Sequence, residues 1–262
     1  MPKKFKVAAQ MYGFRDFTQN PTDLLATIKK TRKIGYEYGQ ISGFGQMCPK
    51  EIRKMFDGEG VTPVGTHISL QRFRDNEKEV IATCHGYGVK YVAIPSLNPA
   101  DYKTATDWKK LFKEFDGYAK RFAKEGLVVQ YHNHDFEFEK IGIKNGAGGK
   151  TILDMLYEGT EFLQAELDFG WCARGGYDPA IWAAKLNGRL DQVHLKDWGI
   201  VGGKPEFRAI GEGSLDWERI IKASKKSGTT DFIVEQDNCV VTGDPFVEYA
   251  TSRKNLKEKY GL

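Results

Sequence analysis

Cysteine is scarce and poorly placed for cross-linking. Cys48, Cys84, Cys172 and Cys239 are far apart and no C-x-x-C occurs, which excludes a disulfide framework and a cysteine zinc site and fits free thiols in a reducing compartment. No stretch approaches the about 20 apolar residues of a membrane span. The N-terminus, Met-Pro-Lys-Lys-Phe-Lys-Val, runs straight into a strand-like segment with no signal-peptide core. The expectation is a cytoplasmic protein with no membrane partner. Charge of one sign is also missing: 39 basic side chains face 35 acidic ones, for a net +4. The pairs Lys29-Lys30, Lys109-Lys110 and Lys225-Lys226 are scattered over helical stretches, whereas a nucleic-acid surface concentrates its basic residues. No G-x-G-x-x-G follows the first strand, which argues against a dinucleotide fold. Gly211-Glu212-Gly213 follows no strand and reads as a loop.

What is present is an eightfold alternation. Short runs rich in Val, Ile, Tyr, Phe or Leu recur at 5–10, 36–41, 62–67, 91–95, 127–132, 162–168, 190–194 and 232–235, as suits strands buried on both faces of a parallel sheet. Amphipathic segments lie between them at 21–34, 77–87, 107–124, 152–158, 179–186, 215–226 and 245–257. Gly35, Gly88, Gly126 and Gly228 each stand just ahead of a strand, where a helix closes. Eight such units in 262 residues predict a (β/α)8 TIM barrel, an α/β fold of about 250 residues. With no linker or low-complexity segment, it forms one domain over 1–262. The glycine-rich stretch 142–150 reads as a long loop near the site.

In such a barrel the site lies where the strands end, and there the polar residues gather. The third strand ends at His67. The fifth ends Gln130-Tyr-His132-Asn-His134-Asp-Phe-Glu137, the sixth Glu166-Leu-Asp168-Phe-Gly-Trp171, the seventh Gln192-Val-His194-Leu-Lys196-Asp197 and the eighth Ile233-Val-Glu235-Gln-Asp237-Asn238. Of the five histidines only His85 sits inside a helical stretch. Strand side chains alternate, so Gln130 and His132 share a face, as do Glu166 and Asp168. Each residue also has a plainer reading: Asp168 can cap the turn that follows, and Glu235 can pair with Lys196. Charges at four successive strand ends are nonetheless expensive to bury without a metal or substrate. A mixed nitrogen and carboxylate set suits one divalent ion, Mn²⁺ first, with Mg²⁺, Co²⁺ or Zn²⁺ as alternatives.

At these residues the sequence resembles the xylose-isomerase-like TIM-barrel superfamily of sugar isomerases and epimerases. The resemblance runs over essentially the whole chain, through "AAQMYGFRD", "YHNHDFEF", "ELDFGW" with "GGYDP", "VHLKDW", "AIGEGSLDW" and "IVEQDN". It implies a metal held by Asp168, His194 and Glu235. The usual fourth ligand is a glutamate, six residues beyond the glycine that opens the fifth strand. Counting from Gly126, that place is His132, with Gln130 the other inward candidate. The Tyr-His-x-His phrase is similar to the inosose dehydratase branch and to members that act on 3-keto-sugars.

Two chemistries follow from the resemblance. In the first, the protein is a sugar or keto-sugar isomerase or epimerase that abstracts a proton next to a metal-bound carbonyl, through an enediolate. Glu235 is the base and His132 or His134 returns the proton. His67, Glu137, Glu166, Trp171, Lys196 and Arg208 contact substrate, and Trp198 or Phe14 adds a wall. In the second, the same site is a lyase, an inosose-type dehydratase or a 3-keto-glycoside eliminase, with His134 as the acid. The histidine where relatives carry glutamate favours this one. The expected partner is a small carbohydrate. The lack of a phosphate-cradling glycine loop favours a non-phosphorylated one, and a homo-oligomer is compatible with a barrel of this kind.

Overall fold

Eight parallel strands close on themselves: β1 (Lys6–Gln10), β2 (Tyr38–Ile41), β3 (Thr62–His67), β4 (Tyr91–Ile94), β5 (Val128–His132), β6 (Gln164–Asp168), β7 (Gln192–Leu195) and β8 (Asp231–Val234). β8 pairs back onto β1 through Lys6 with Asp231 and Ala8 with Ile233. This is a computed structural model, and it describes residues 5–141 and 149–262. The closed (β/α)8 barrel agrees with the sequence reading, and strand ends fall within two residues of those expected. One strand starts late for a visible reason. The Asp116 carboxylate accepts the backbone N–H groups of Glu161, Phe162 and Leu163 and holds that segment in a turn until Gln164.

Outward-facing strand residues such as Val92, Ile94, Val129, Leu167, Val193 and Val234 pack against the helical ring in one apolar core. Burial of this kind contributes about 25 cal/mol per Å². The helices Pro21–Ile34, Glu77–Tyr87 and Ile152–Glu158 have the bounds read from sequence. One helix was not anticipated. Pro49–Gly58 runs between β2 and β3 with Ile52 and Phe56 buried. Its Pro at the first turn and its i, i+4 apolar pair are helix signals, but Lys50, Glu51, Arg53 and Lys54 mask so narrow a stripe.

Two small antiparallel additions decorate the C-terminal end. One pairs Lys140–Ile141 with Lys150–Thr151. The loop expected over 142–150 lies between and across these strands, and its residues 142–148 fall outside the described ones. The other pairs Asp197–Val201 with Lys204–Arg208. It turns on Gly202 and Gly203, both at positive φ, a hairpin geometry that L-residues with a Cβ resist. The Gly211–Gly213 stretch is a loop, as expected.

The barrel interior is unusually polar. Barrels of this type are commonly filled by branched apolar side chains. Here the inner apolar cluster is Ala8, Val64 and Ile233, with Tyr38 against it. Gln10, Gln40, Gln130, Gln192, Glu166 and Asp231 are all buried, so the site rests on a hydrogen-bonded floor.

Candidate metal centre

Strand register brings the donors together. Asp168 closes β6 and lies opposite His194 of β7, which lies opposite Ile233 of β8, two residues before Glu235. His132 closes β5 beside Glu166. Ligand atoms of His132, Asp168, His194 and Glu235 lie within 4.8 Å of one another, and all four residues are buried. A second group under the same limit, His67, His132, Glu166 and His194, shares two histidines with the first. Above the donors opens a cavity of 360 Å³ lined by residues that include His67, His132, His134, Glu235, Asp237 and Arg15.

Both plainer readings are realised beside the donor geometry. Asp168 Oδ1 accepts the Trp171 N–H at 2.8 Å and caps the helix Phe169–Arg174. Glu235 Oε2 lies 3.0 Å from the Lys196 ammonium, which also reaches Asp168 at 3.3 Å and Asp237 at 2.8 Å. Donor capacity remains. Beyond its ion pair with Lys196, Asp168 Oδ2 accepts no hydrogen bond, and the buried His134 Nδ1 has none either, while His132 Nδ1 has only Glu166 Oε2 near it, at 3.5 Å. A buried polar atom left so costs about 1–3 kcal/mol. Two imidazoles and two carboxylates converging with spare acceptor capacity fit a divalent cation.

The charges have shaped one another. Burial pushes the Asp168 carboxyl up to about 7 against the pull of Lys196. Burial acts on Glu235 in the same sense, but Lys196 and His194 together hold it well below the carboxylate range. Burial alone would lower His194, yet Glu166 and Glu235 on either side raise it to about 10. His132 is driven well down by burial, with the neighbouring His194 adding to the effect. His134 is lowered by burial and then by Lys196, so its imidazole is neutral near pH 7.

The other residues expected at the site divide. His67 lines the cavity. Lys196 is buried beside the donors, under Trp171 and Phe207, with ring centroids 5.0 and 5.4 Å from the ammonium, and neither it nor Trp171 is part of the cavity wall. Glu166 is wholly buried beneath the histidines and does not line the cavity. Glu137 faces away from it too: its carboxylate takes the Tyr131 hydroxyl and, at 2.8 Å, the His134 N–H, which anchors the turn carrying His134. Arg208 stands opposite Asp197 on the outer hairpin, outside the cavity wall. Phe14 is buried against Phe246 and Tyr249 and walls nothing there, because its short helix turns it into the core. Trp198 is likewise absent from the wall. Gln130, the alternative fourth donor, sits one layer down and donates to the Ala165 carbonyl at 3.2 Å. Sequence reading missed Gln10, which ends β1, and Gln40, one residue before the end of β2, as well as Tyr12, Arg15, Ser42 and Ser96 on the cavity wall.

Among solved structures the chain is similar to a sugar phosphate isomerase/epimerase from Parabacteroides distasonis ATCC 8503, at 22% identity over 98% of this chain and 95% of that one, with a TM-score of 0.83. It is also similar to an L-ribulose 3-epimerase, at 13% identity, 97% and 93% coverage and a TM-score of 0.72. A probable 3-DHS dehydratase involved in petrobactin synthesis, from Bacillus anthracis, gives 12%, 97%, 99% and 0.72. At such identities the likeness is one of fold. No curated protein matches the chain. Among the described residues no helix is long and apolar enough to cross a membrane. The model of one family matches residues 12–258, and by that match, nearly end to end, the chain belongs to the xylose isomerase-like TIM barrels.

Proposed function

We propose that the protein is a divalent-metal-dependent isomerase or epimerase of a sugar or keto-sugar, working by proton transfer at the carbon beside a carbonyl. The observation that carries this reading is the convergence of His132, Asp168, His194 and Glu235 within 4.8 Å, with His132 and Glu235 lining a cavity. These four would hold the ion, Mn²⁺ for preference. Once bound, it would supply Lewis-acid polarisation of a substrate carbonyl. Glu235, kept ionised by Lys196 and His194 against the effect of burial, would take the proton. His134, on the cavity wall, would return one after first taking a proton from solvent or a substrate hydroxyl, since its resting imidazole is neutral. His67, on the cavity wall, would hold a substrate oxygen, and Lys196, backed by Trp171, would keep Glu235 charged.

A lyase is the second reading, favoured by one observation. Beside Glu235 the cavity is lined by three imidazoles, those of His67, His132 and His134, with Asp237 as its other carboxylate. A base and an acid of different kinds suit elimination: Glu235 would take the α-proton, and His134, once protonated from solvent, would give its proton to a departing hydroxyl or glycosidic oxygen. Incubating the Mn²⁺-loaded protein with keto-sugars and keto-inositols in D₂O, followed by NMR, separates the two. Deuterium at the α-carbon with no loss of water or aglycone is the result expected of an isomerase. Appearance of an enone or a released alcohol makes it a lyase. Metal binding by Asp168→Ala and Glu235→Ala as tight as the parent's would remove the metal site and both readings with it.

A further inference from the structure

We infer that Glu166 is a positioning residue whose carboxylate dictates which ring nitrogen of His194, and which of His132, is left to take the metal. The inference rests on the metal site just proposed and adds a group that does not itself touch the cavity. Glu166 Oε2 is approached by three imidazoles: His67 Nε2 at 2.6 Å, His194 Nε2 at 3.2 Å and His132 Nδ1 at 3.5 Å. Its other oxygen takes the Gln40 side-chain amide N–H.

The consequence follows from donor and acceptor chemistry. An ionised carboxylate only accepts, so Gln40 must turn its NH₂ toward Glu166. Its carbonyl oxygen then faces His194 Nε2 at 2.8 Å and also accepts from Gln10 Nε2 at 2.5 Å. His194 Nε2 therefore meets two acceptors, Gln40 Oε1 and Glu166 Oε2, and must carry a proton. Nδ1 faces Glu235 at 2.7 Å and donates to it; an ion held by both groups would displace that proton, so Nδ1 and not Nε2 is the nitrogen left to take the metal. His132 is divided the same way, with Nδ1 toward Glu166 and Nε2 toward Glu235 at 3.9 Å. A buried carboxylate behind metal-bound histidines fixes tautomer and ring orientation, and losing such a partner typically costs 10–100-fold in metal affinity.

The test uses Mn²⁺ titration calorimetry on the full chain. Glu166→Gln should bind Mn²⁺ about 10–100-fold more weakly. The exchange variant, Glu166→Gln with Gln40→Glu, should recover most of that loss, because a carboxylate at position 40 again accepts the His194 Nε2–H. Weakening with no recovery in the exchange variant reduces Glu166 to a packing role and overturns the inference. So does unchanged affinity in Glu166→Gln while Asp168→Ala loses the metal, and in that case the metal site itself stands. Unchanged affinity in Asp168→Ala removes the metal site instead. Should the Glu166 variants fail to fold, ¹⁵N-histidine NMR of the unsubstituted protein loaded with Zn²⁺ decides the matter. A protonated Nε2 with metal-bound Nδ1 on His194 is expected, and the reverse assignment overturns the inference.

Discussion

At Lys196 one buried ammonium answers three carboxylates, those of Asp168, Glu235 and Asp237. A metal held by two of the same acids competes with it for their charge. Lys196→Met should therefore destabilise the metal-free protein by about 3–5 kcal/mol, the usual cost of stranding one side of a buried pair. It should also gain more stability from Mn²⁺ than the parent does. Urea midpoints with and without Mn²⁺ measure both, and an equal gain in the two proteins would count against the competition. Glu137 carries a pH signature. Burial raises its carboxyl from 4.5 to about 7, against the pull of its Tyr131 and His134 hydrogen bonds. The folded state then binds the proton more tightly than the unfolded one, so this group's contribution is present below pH 4.5 and is lost as pH rises through 7. The loss is on the order of 3 kcal/mol. Between pH 5 and 8 the parent should lose more stability than Glu137→Gln, by about that amount. Parallel pH profiles for the two would refute the assignment.

At the scale of elements, the Asp197–Val201 and Lys204–Arg208 hairpin and the loop beyond it hang on one side chain. Asp197 Oδ2 accepts from the Gly211 and Gly213 N–H groups and from Trp217 Nε1 at 2.7 Å, while Oδ1 accepts from the Trp198 N–H at 2.9 Å. The aspartate of "VHLKDW" is thus tied to the "AIGEGSLDW" stretch, and a pair of motifs that point to a family are here a structural clasp. Asp197→Ala leaves several N–H groups without an acceptor and should cost more than about 3 kcal/mol in urea unfolding. A change under about 1 kcal/mol would show that water replaces the carboxylate. Close packing limits the elements as well. A Cβ on Gly170 would strike the Lys196 carbonyl oxygen, so the helix after β6 can lie against β7 only with glycine there.

At the scale of the whole molecule, the donors come from the four consecutive strands β5 to β8, whose inward-curving sheet aims them at one point. A cation binding all four stabilises the folded state alone, because the unfolded chain holds no such cluster. At a metal concentration 100 times its Kd the gain is about 2.7 kcal/mol. For a chain of this size that is roughly 5–10 °C in Tm. Thermal melts should show the rise with Mn²⁺ and its reversal with EDTA, and Asp168→Ala should show neither. A parent Tm indifferent to Mn²⁺, Mg²⁺, Co²⁺ and Zn²⁺ alike would argue against a resident ion.

By itself the sequence determined the eightfold strand and helix alternation, and with it the barrel. It also placed His132, Asp168, His194 and Glu235 at strand ends. Both are local facts: periodicity of two or 3.6 residues says which side chains share a face, and glycines say where helices stop. Which inward residues meet was decided only by closure. Gln40 and His194 are 154 positions apart and lie 2.8 Å from each other. Glu166 and Asp168 share a strand face, yet Glu166 falls in with His67, His132 and His194, and Asp168 with His132, His194 and Glu235. Glu137, close in sequence to His134, turned out to brace it from behind. Alternation fixes the face a side chain takes. Its depth within the barrel, and the partners it finds there, depend on strand stagger around the closed sheet, and no local pattern encodes that.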